Sequence, residues 1–87
     1  MKDIVRMRDT ARRIRVLDRE YKMSIREIAK VMGVNFYIVS FWRNAKVEIT
    51  KKNYEKLCNM MMKLTGKNIR YKGQAYDILM EGEEDDE

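Results

Sequence analysis

The chain has 87 residues, with 19 lysines and arginines against 14 aspartates and glutamates, a net charge of +5. This length allows one small domain with a marginal core, so size alone favours a second, stabilising subunit. Cys58 is the only cysteine and there is no histidine, which excludes an intrachain disulfide and the usual zinc ligand sets.

The charge is unevenly distributed along the chain. Six of the acidic residues lie in the last seven positions, so residues 1–80 hold all 19 basic residues against eight acidic ones, a net charge of +11. Such a body suits a polyanionic partner such as nucleic acid, although a solvated charged surface would have the same composition.

Several function classes are not expected. The sequence has no paired carboxylates in an apolar context and no glycine-rich phosphate loop, so we expect neither an enzyme nor a bound cofactor or metal. It also has no apolar run long enough to span a membrane and no secretory pattern. We therefore expect a cytoplasmic protein that does not bind membranes.

Residues 3–21 predict a first helix. Its apolar positions recur at helical spacing: Ile4, Met7, Ala11, Ile14, Leu17 and Tyr21. The other faces are rich in arginine, and these side chains could either contact phosphates or keep a surface helix soluble. The sequence does not choose between the two.

Residues 24–46 predict two short helices joined by a turn of about three residues. Ser24 and Glu27 have the spacing of a capping box, and Gly33 is a natural helix end. Asn35 caps the next helix. The predicted buried positions are Ile28, Ala29 and Met32 in the first of these helices and Val39 and Trp42 in the second.

Thr50 caps a further helix that ends near Thr65, before Gly66. Its core stripe is predicted to be Tyr54, Leu57, Cys58, Met61 and Leu64, with Met60 and Met62 off the stripe. Residues 67–80 could form a strand or a final helix, and their apolar cluster around residues 76–80 is a second reason to expect a homodimer. The acidic residues 81–87 predict a disordered tail that aids solubility or covers the basic face.

Residues 10–65 resemble the lambda-repressor-like helix-turn-helix family, which includes phage Cro and CI repressors and the heads of LacI-type repressors. The match rests on IREIA, MGV, the cap at Asn35, Val39-Ser40 and the run from Trp42 to Lys46. The resemblance implies an all-α bundle of about five helices, a DNA-binding domain over residues 1–80 and a motif over about 24–44.

The resemblance also implies an interface with double-stranded DNA. In this family the second motif helix lies in the major groove. The matching base-reading positions are Asn35, Phe36, Tyr37, Ser40, Phe41 and Asn44. The matching phosphate-binding positions are Ser24, Arg26, Arg43, Lys46, Lys51, Lys52, Asn53 and Tyr54.

The chain departs from the family at Phe36, Tyr37 and Phe41, where glutamine, arginine or serine is common. Aromatic rings offer fewer hydrogen bonds to bases but can pack on thymine methyl groups, so a T-rich site is one possible outcome. Three exposed aromatics also suit a protein-binding face. The resemblance as a whole implies a homodimeric repressor of phage or mobile-element type that binds an inverted repeat. The alternative is a protein-interaction module that binds an antirepressor or a host factor.

Overall fold

The chain folds as five α-helices, and residues 3–84, which the computed structural model describes, contain no strand. The all-α prediction of about five helices is confirmed. The helices are α1 (Ile4–Arg19), α2 (Ile25–Met32), α3 (Phe36–Arg43), α4 (Lys51–Leu64) and α5 (Gln74–Glu84).

The helices begin at the capping residues that the sequence indicates. Ser24 and Glu27 form a reciprocal capping box, with both hydrogen bonds 3.1 Å long. The Asn35 side chain accepts from the Tyr37 N–H at 2.7 Å, and the Thr50 hydroxyl oxygen accepts from the Asn53 N–H at 3.2 Å. Each such cap stabilises its helix by about 1 kcal/mol, so local sequence fixes the starts of α2, α3 and α4.

The turn between α2 and α3 depends on Gly33. Its φ of +71° lies in the left-handed region, which a residue with a Cβ adopts only with strain. The Val34 N–H then donates to the Ala29 carbonyl at 3.0 Å, which closes the end of α2. Only residues 33–35 separate the two helices, so the start of α3 is held close to α2.

The core lies where all five helices meet. α1 packs against α3 and α4, α2 against α3, α4 and α5, and α4 against α5. The predicted buried positions of the two motif helices are confirmed, and Trp42 is a core residue. The fully buried side chains are mainly aliphatic and include Ile14, Leu17, Ile28, Val39, Leu57 and Leu64.

The predicted stripe of α4 is partly wrong. Met60, which was expected off the stripe, is buried, whereas Cys58 and Met61 are only half-buried. The reason is that α4 contacts α5 as well as α1, so two of its faces are covered. In α1, Ile4 is exposed and Thr10 is buried, with the Thr10 hydroxyl donating to the Arg6 carbonyl at 2.7 Å.

Of the segment predicted as a strand or a helix, residues 67–73 form a loop and residues 74–80 belong to α5. Ala75 and Leu79 of α5 are buried, and α5 packs on α2 and α4 of the same chain. These two residues therefore need no partner subunit to cover them, which weakens the apolar-cluster argument for a homodimer. Tyr76, Ile78 and Met80 are half-buried.

α5 runs to Glu84, so the helix extends into the acidic segment for which the sequence predicted a disordered tail. Glutamate favours helices, and a helix anchored by Leu79 extends easily into the next turn. The prediction for residues 85–87 lies outside the described part of the chain.

Candidate nucleic-acid interface

The outer face of α3 carries exposed aromatic side chains. Burial of Val39 and Trp42 turns the opposite side of the helix toward solvent, where Tyr37 is 65% and Phe41 44% exposed. Ser40 is half-buried, and its hydroxyl adds a second hydrogen-bonding group on α3 to the hydroxyl of Tyr37. This face therefore offers two rings and two hydroxyls to a partner.

Phe36 connects the two motif helices. Its ring is half-buried and lies 4.7 Å from the Tyr37 ring, measured between centroids. The Arg26 guanidinium of α2 lies 4.9 Å from the Phe36 ring centre, a cation–π geometry. The structure thus brings together a predicted phosphate-binding residue and two predicted base-reading residues.

The two asparagines at the ends of α3 have structural hydrogen bonds. The Asn35 side-chain oxygen accepts from the Tyr37 N–H and so caps α3. The Asn44 side-chain NH₂ donates to the Ser40 backbone carbonyl at 3.0 Å. Both asparagines are exposed, as base-reading residues must be. Each, however, already uses one side-chain group in a hydrogen bond within the fold. Tyr37, Ser40 and Phe41 are therefore the side chains of α3 that are best placed for base edges.

Cationic side chains lie at the starts of the helices before and after α3 in the chain. Arg26 is exposed at the start of α2, and Lys51 and Lys52 are exposed on the first turn of α4. Helix N-termini attract anions because their first N–H groups are free and the helix dipole is positive there. These predicted positions therefore combine side-chain charge with the field of a helix end.

The remaining predicted phosphate-binding residues differ in whether their polar groups already have partners within the fold. Lys46 is exposed, whereas Arg43 Nη2 lies 3.4 Å from Asp18 Oδ2 in a surface ion pair of modest strength. The Ser24 hydroxyl oxygen and the Asn53 N–H take part in the helix caps. The Ser24 hydroxyl still has its proton to donate.

Tyr54 belongs to a different cluster from the other predicted phosphate ligands. Its hydroxyl donates to the Asp9 carboxylate, and its ring lies 5.9 Å from the Arg13 guanidinium. Arg12 and Arg13 also donate to Asp9, each at 2.6 Å. The cluster joins α1 to α4, so the Tyr54 hydroxyl is already used inside the fold.

The charges in this cluster stabilise one another. Burial raises the pKa of Asp9, but hydrogen bonds from Tyr54, Arg13 and Arg12 outweigh burial and hold that pKa well below its usual range. The hydrogen bond to the Asp9 carboxylate raises the pKa of Tyr54. Both shifts favour an ionised Asp9 and a protonated Tyr54.

The sequence prediction missed several cations beside α2. Lys30 Nζ lies 6.0 Å from the Tyr76 ring centre, and Lys22, Arg70 and Lys72 border a cleft at the first turn of α2. The sequence does mark Arg70 and Lys72 as part of a basic segment, because residues 56–76 contain five basic residues and no acidic one. Their position next to α2 depends on tertiary packing, which the sequence alone does not give.

No family model, no curated protein and no solved structure matches this chain. No helix between residues 3 and 84 is long and apolar enough to cross a membrane. Among the side chains of residues 3–81, no three from aspartate, glutamate and cysteine gather as metal ligands would. The inference of function therefore depends on the side chains and charges of α2, α3 and α4.

Proposed function

We propose that this chain is a sequence-specific DNA-binding transcriptional regulator that acts in the cytoplasm as a homodimeric repressor of phage or mobile-element type. One observation carries the proposal: α3 follows α2 after a three-residue turn and presents Tyr37 and Phe41 to solvent, while exposed cations stand at the starts of α2 and α4. The resemblance to lambda-repressor-like proteins supports the same reading.

In the proposed complex, α3 lies in the major groove. The hydroxyls of Tyr37 and Ser40 are in place to exchange hydrogen bonds with base edges, and the Phe41 ring can pack on thymine methyl groups. Apolar contact with thymine is the only sequence signal that a phenyl ring reads in this groove. We therefore expect a T-rich element within each half-site.

The DNA backbone would be held by the helix ends beside α3. Arg26 with Ser24 on one side, and Lys51 with Lys52 on the other, would each meet a phosphate. The net charge of +11 over residues 1–80 supports this assignment, because phosphate neutralisation supplies most of the affinity of such proteins. Binding should therefore weaken steeply as salt rises.

A homodimer would place two α3 helices in successive major grooves, about 34 Å apart, and would select an inverted repeat. Occlusion of a promoter by the bound dimer would repress transcription. The small size of the domain supports dimerisation, since a second subunit adds buried surface to a marginal core.

Selection of bound sequences from a random duplex pool tests the proposal. The expected result is an inverted-repeat consensus whose affinity far exceeds that for scrambled DNA and falls steeply between two salt concentrations. The variant with Tyr37→Ala and Phe41→Ala should bind the consensus and scrambled DNA about equally. Absence of any enriched motif for the native chain would reject sequence-specific binding.

The exposure of Tyr37 and Phe41 also favours a second candidate function, a protein-interaction module such as an antirepressor or host-factor binder. Salt separates the two candidates. An aromatic protein interface responds weakly to ionic strength, whereas phosphate contacts give a linear loss of log affinity with log salt.

A further inference from the structure

An open cleft of about 580 Å³ lies beside the first turn of α2. One wall is the turn between α1 and α2, with Lys22 and Ser24, and the other is the loop before α5, with Arg70, Tyr71 and Lys72. The cleft is far larger than one phosphate group and is open to solvent along its rim. Its shape therefore suits a passing polyanionic strand better than a small enclosed anion.

The loop that forms the second wall is anchored. Ile69 packs against the hydrophobic core, and the Arg70 N–H donates to the Gln74 side-chain oxygen at 2.6 Å. Gly66 and Gly73 bracket the loop with φ angles of +82° and +92° and permit its sharp turns. Arg70 and Lys72 therefore project from a fixed backbone, which lowers the entropic cost of binding.

The charges around the cleft favour an anion. Lys22, Arg70 and Lys72 are exposed, and none of them forms an ion pair within the described chain. Two carboxylates also line the cleft, but the three exposed cations outnumber them and each carboxylate already has a partner. Asp18 pairs with Arg43 at 3.4 Å, and Glu27 accepts from the Ser24 N–H at 3.1 Å in the capping box.

We propose that this cleft is a second phosphate-binding position, which grips the DNA backbone beyond the reach of α3. The inference rests on the proposed DNA-binding function. The first turn of α2 links the two sites, because Ser24 lines the cleft while Arg26 stacks on Phe36 of α3. A backbone that passes the start of α2 would therefore meet Lys22, Arg70 and Lys72, with the exposed Tyr71 hydroxyl as a neutral donor.

A charge-matched pair of variants tests this inference. The cleft variant combines Lys22→Gln, Arg70→Gln and Lys72→Gln, and the control combines Arg8→Gln, Arg15→Gln and Lys63→Gln. All six residues are exposed, and both variants lose three positive charges. Thermal unfolding should give similar midpoints for both, because exposed surface substitutions change stability little.

Fluorescence anisotropy would then follow binding to a labelled random-sequence duplex over a series of salt concentrations. Loss of three phosphate contacts should make the slope of log affinity against log salt shallower by about 2 to 3, and affinity at low salt should fall at least about tenfold below that of the control. Ethylation interference on the selected consensus duplex should show phosphates whose ethylation weakens binding of the native chain but not of the cleft variant.

The outcomes separate this inference from the proposed function. If the native chain binds with a steep salt dependence but the cleft variant matches the control, the inference is overturned and DNA binding stands. If the native chain binds no duplex at either salt extreme, both are overturned. A selective loss in the cleft variant, with sequence preference retained in the pool selection, supports the second phosphate position.

Discussion

Tyr54→Phe removes one hydroxyl from the cluster that joins α1 to α4, and the expected result is lower stability with unchanged DNA affinity. The hydroxyl donates to the Asp9 carboxylate, which also accepts from Arg12 and Arg13. The aromatic ring remains in the variant, so its packing beside Arg13 is retained. The substitution therefore isolates one hydrogen bond to a charged acceptor.

The magnitude follows from the type of bond and its exposure. A hydrogen bond to a charged group contributes about 1.5–3 kcal/mol, and the Asp9 side chain is 23% exposed, which places the loss near the lower end, at about 1.5 kcal/mol. For a domain of this size, that loss lowers Tm by about 6–12 °C. Tyr21→Phe is the matched control, because Tyr21 is half-buried, its hydroxyl forms no hydrogen bond in the described chain, and it lies in neither proposed DNA-binding site.

Asp9→Asn tests how the stability that the Asp9 carboxylate contributes depends on pH. The pKa of Asp9 is lowered in the folded protein, so its ionised form stabilises the fold. The stability advantage of the native chain over Asp9→Asn should be complete above the pKa of an unfolded aspartate, about 4, and should shrink as the pH falls toward the lower folded value. Circular dichroism melts from pH 7 to pH 3 measure this difference.

Two results would refute this reasoning. An unchanged Tm in Tyr54→Phe would mean that the hydroxyl does not bond to Asp9 in solution. A normal Tm combined with weaker, less salt-dependent DNA binding would instead mean that Tyr54 contacts phosphate, as the family resemblance implies. Binding is best measured well below the Tm of the variant, so that partial unfolding does not lower the apparent affinity.

Three further predictions concern the motif and the charge. Tyr37→Ala combined with Phe41→Ala should abolish preference for the selected sequence without lowering Tm, whereas Met62→Ala, a change at an exposed apolar side chain of α4, should leave that preference intact. Gly33→Ala should cost about 1 kcal/mol in thermal unfolding, because the residue has a φ of +71°. Deletion of residues 85–87 raises the net charge from +5 to +8 and should increase affinity for scrambled DNA at low salt.

The sequence predicted those parts of the fold that depend on neighbouring residues. Ser24, Asn35 and Thr50 cap their helices by hydrogen bonds that span two or three positions, so type and spacing suffice to locate them. The buried stripes of α2 and α3 were predicted for a similar reason, because each of these short helices presents a single apolar face.

The sequence did not predict features that depend on packing between distant segments. Met60 is buried because α5 covers a second face of α4, and the order of the helices does not reveal that contact. The exposed aromatics of α3 were located correctly, but the engagement of Tyr54 by Asp9 was missed, since 45 residues separate the two. The cleft at Lys22 also depends on where the loop before α5 returns.

The aromatic face of α3 and the cations around it would contribute differently to binding. Rings on thymine methyl groups discriminate among bases less sharply than bidentate hydrogen bonds do. Phosphate contacts add affinity at every sequence equally. A protein with both features should bind DNA tightly at low salt and lose affinity for specific and scrambled DNA in parallel as salt rises, so that its sequence preference stays nearly constant. The ratio of specific to scrambled affinity, followed across salt, therefore tests whether Tyr37 and Phe41 read bases or serve another partner.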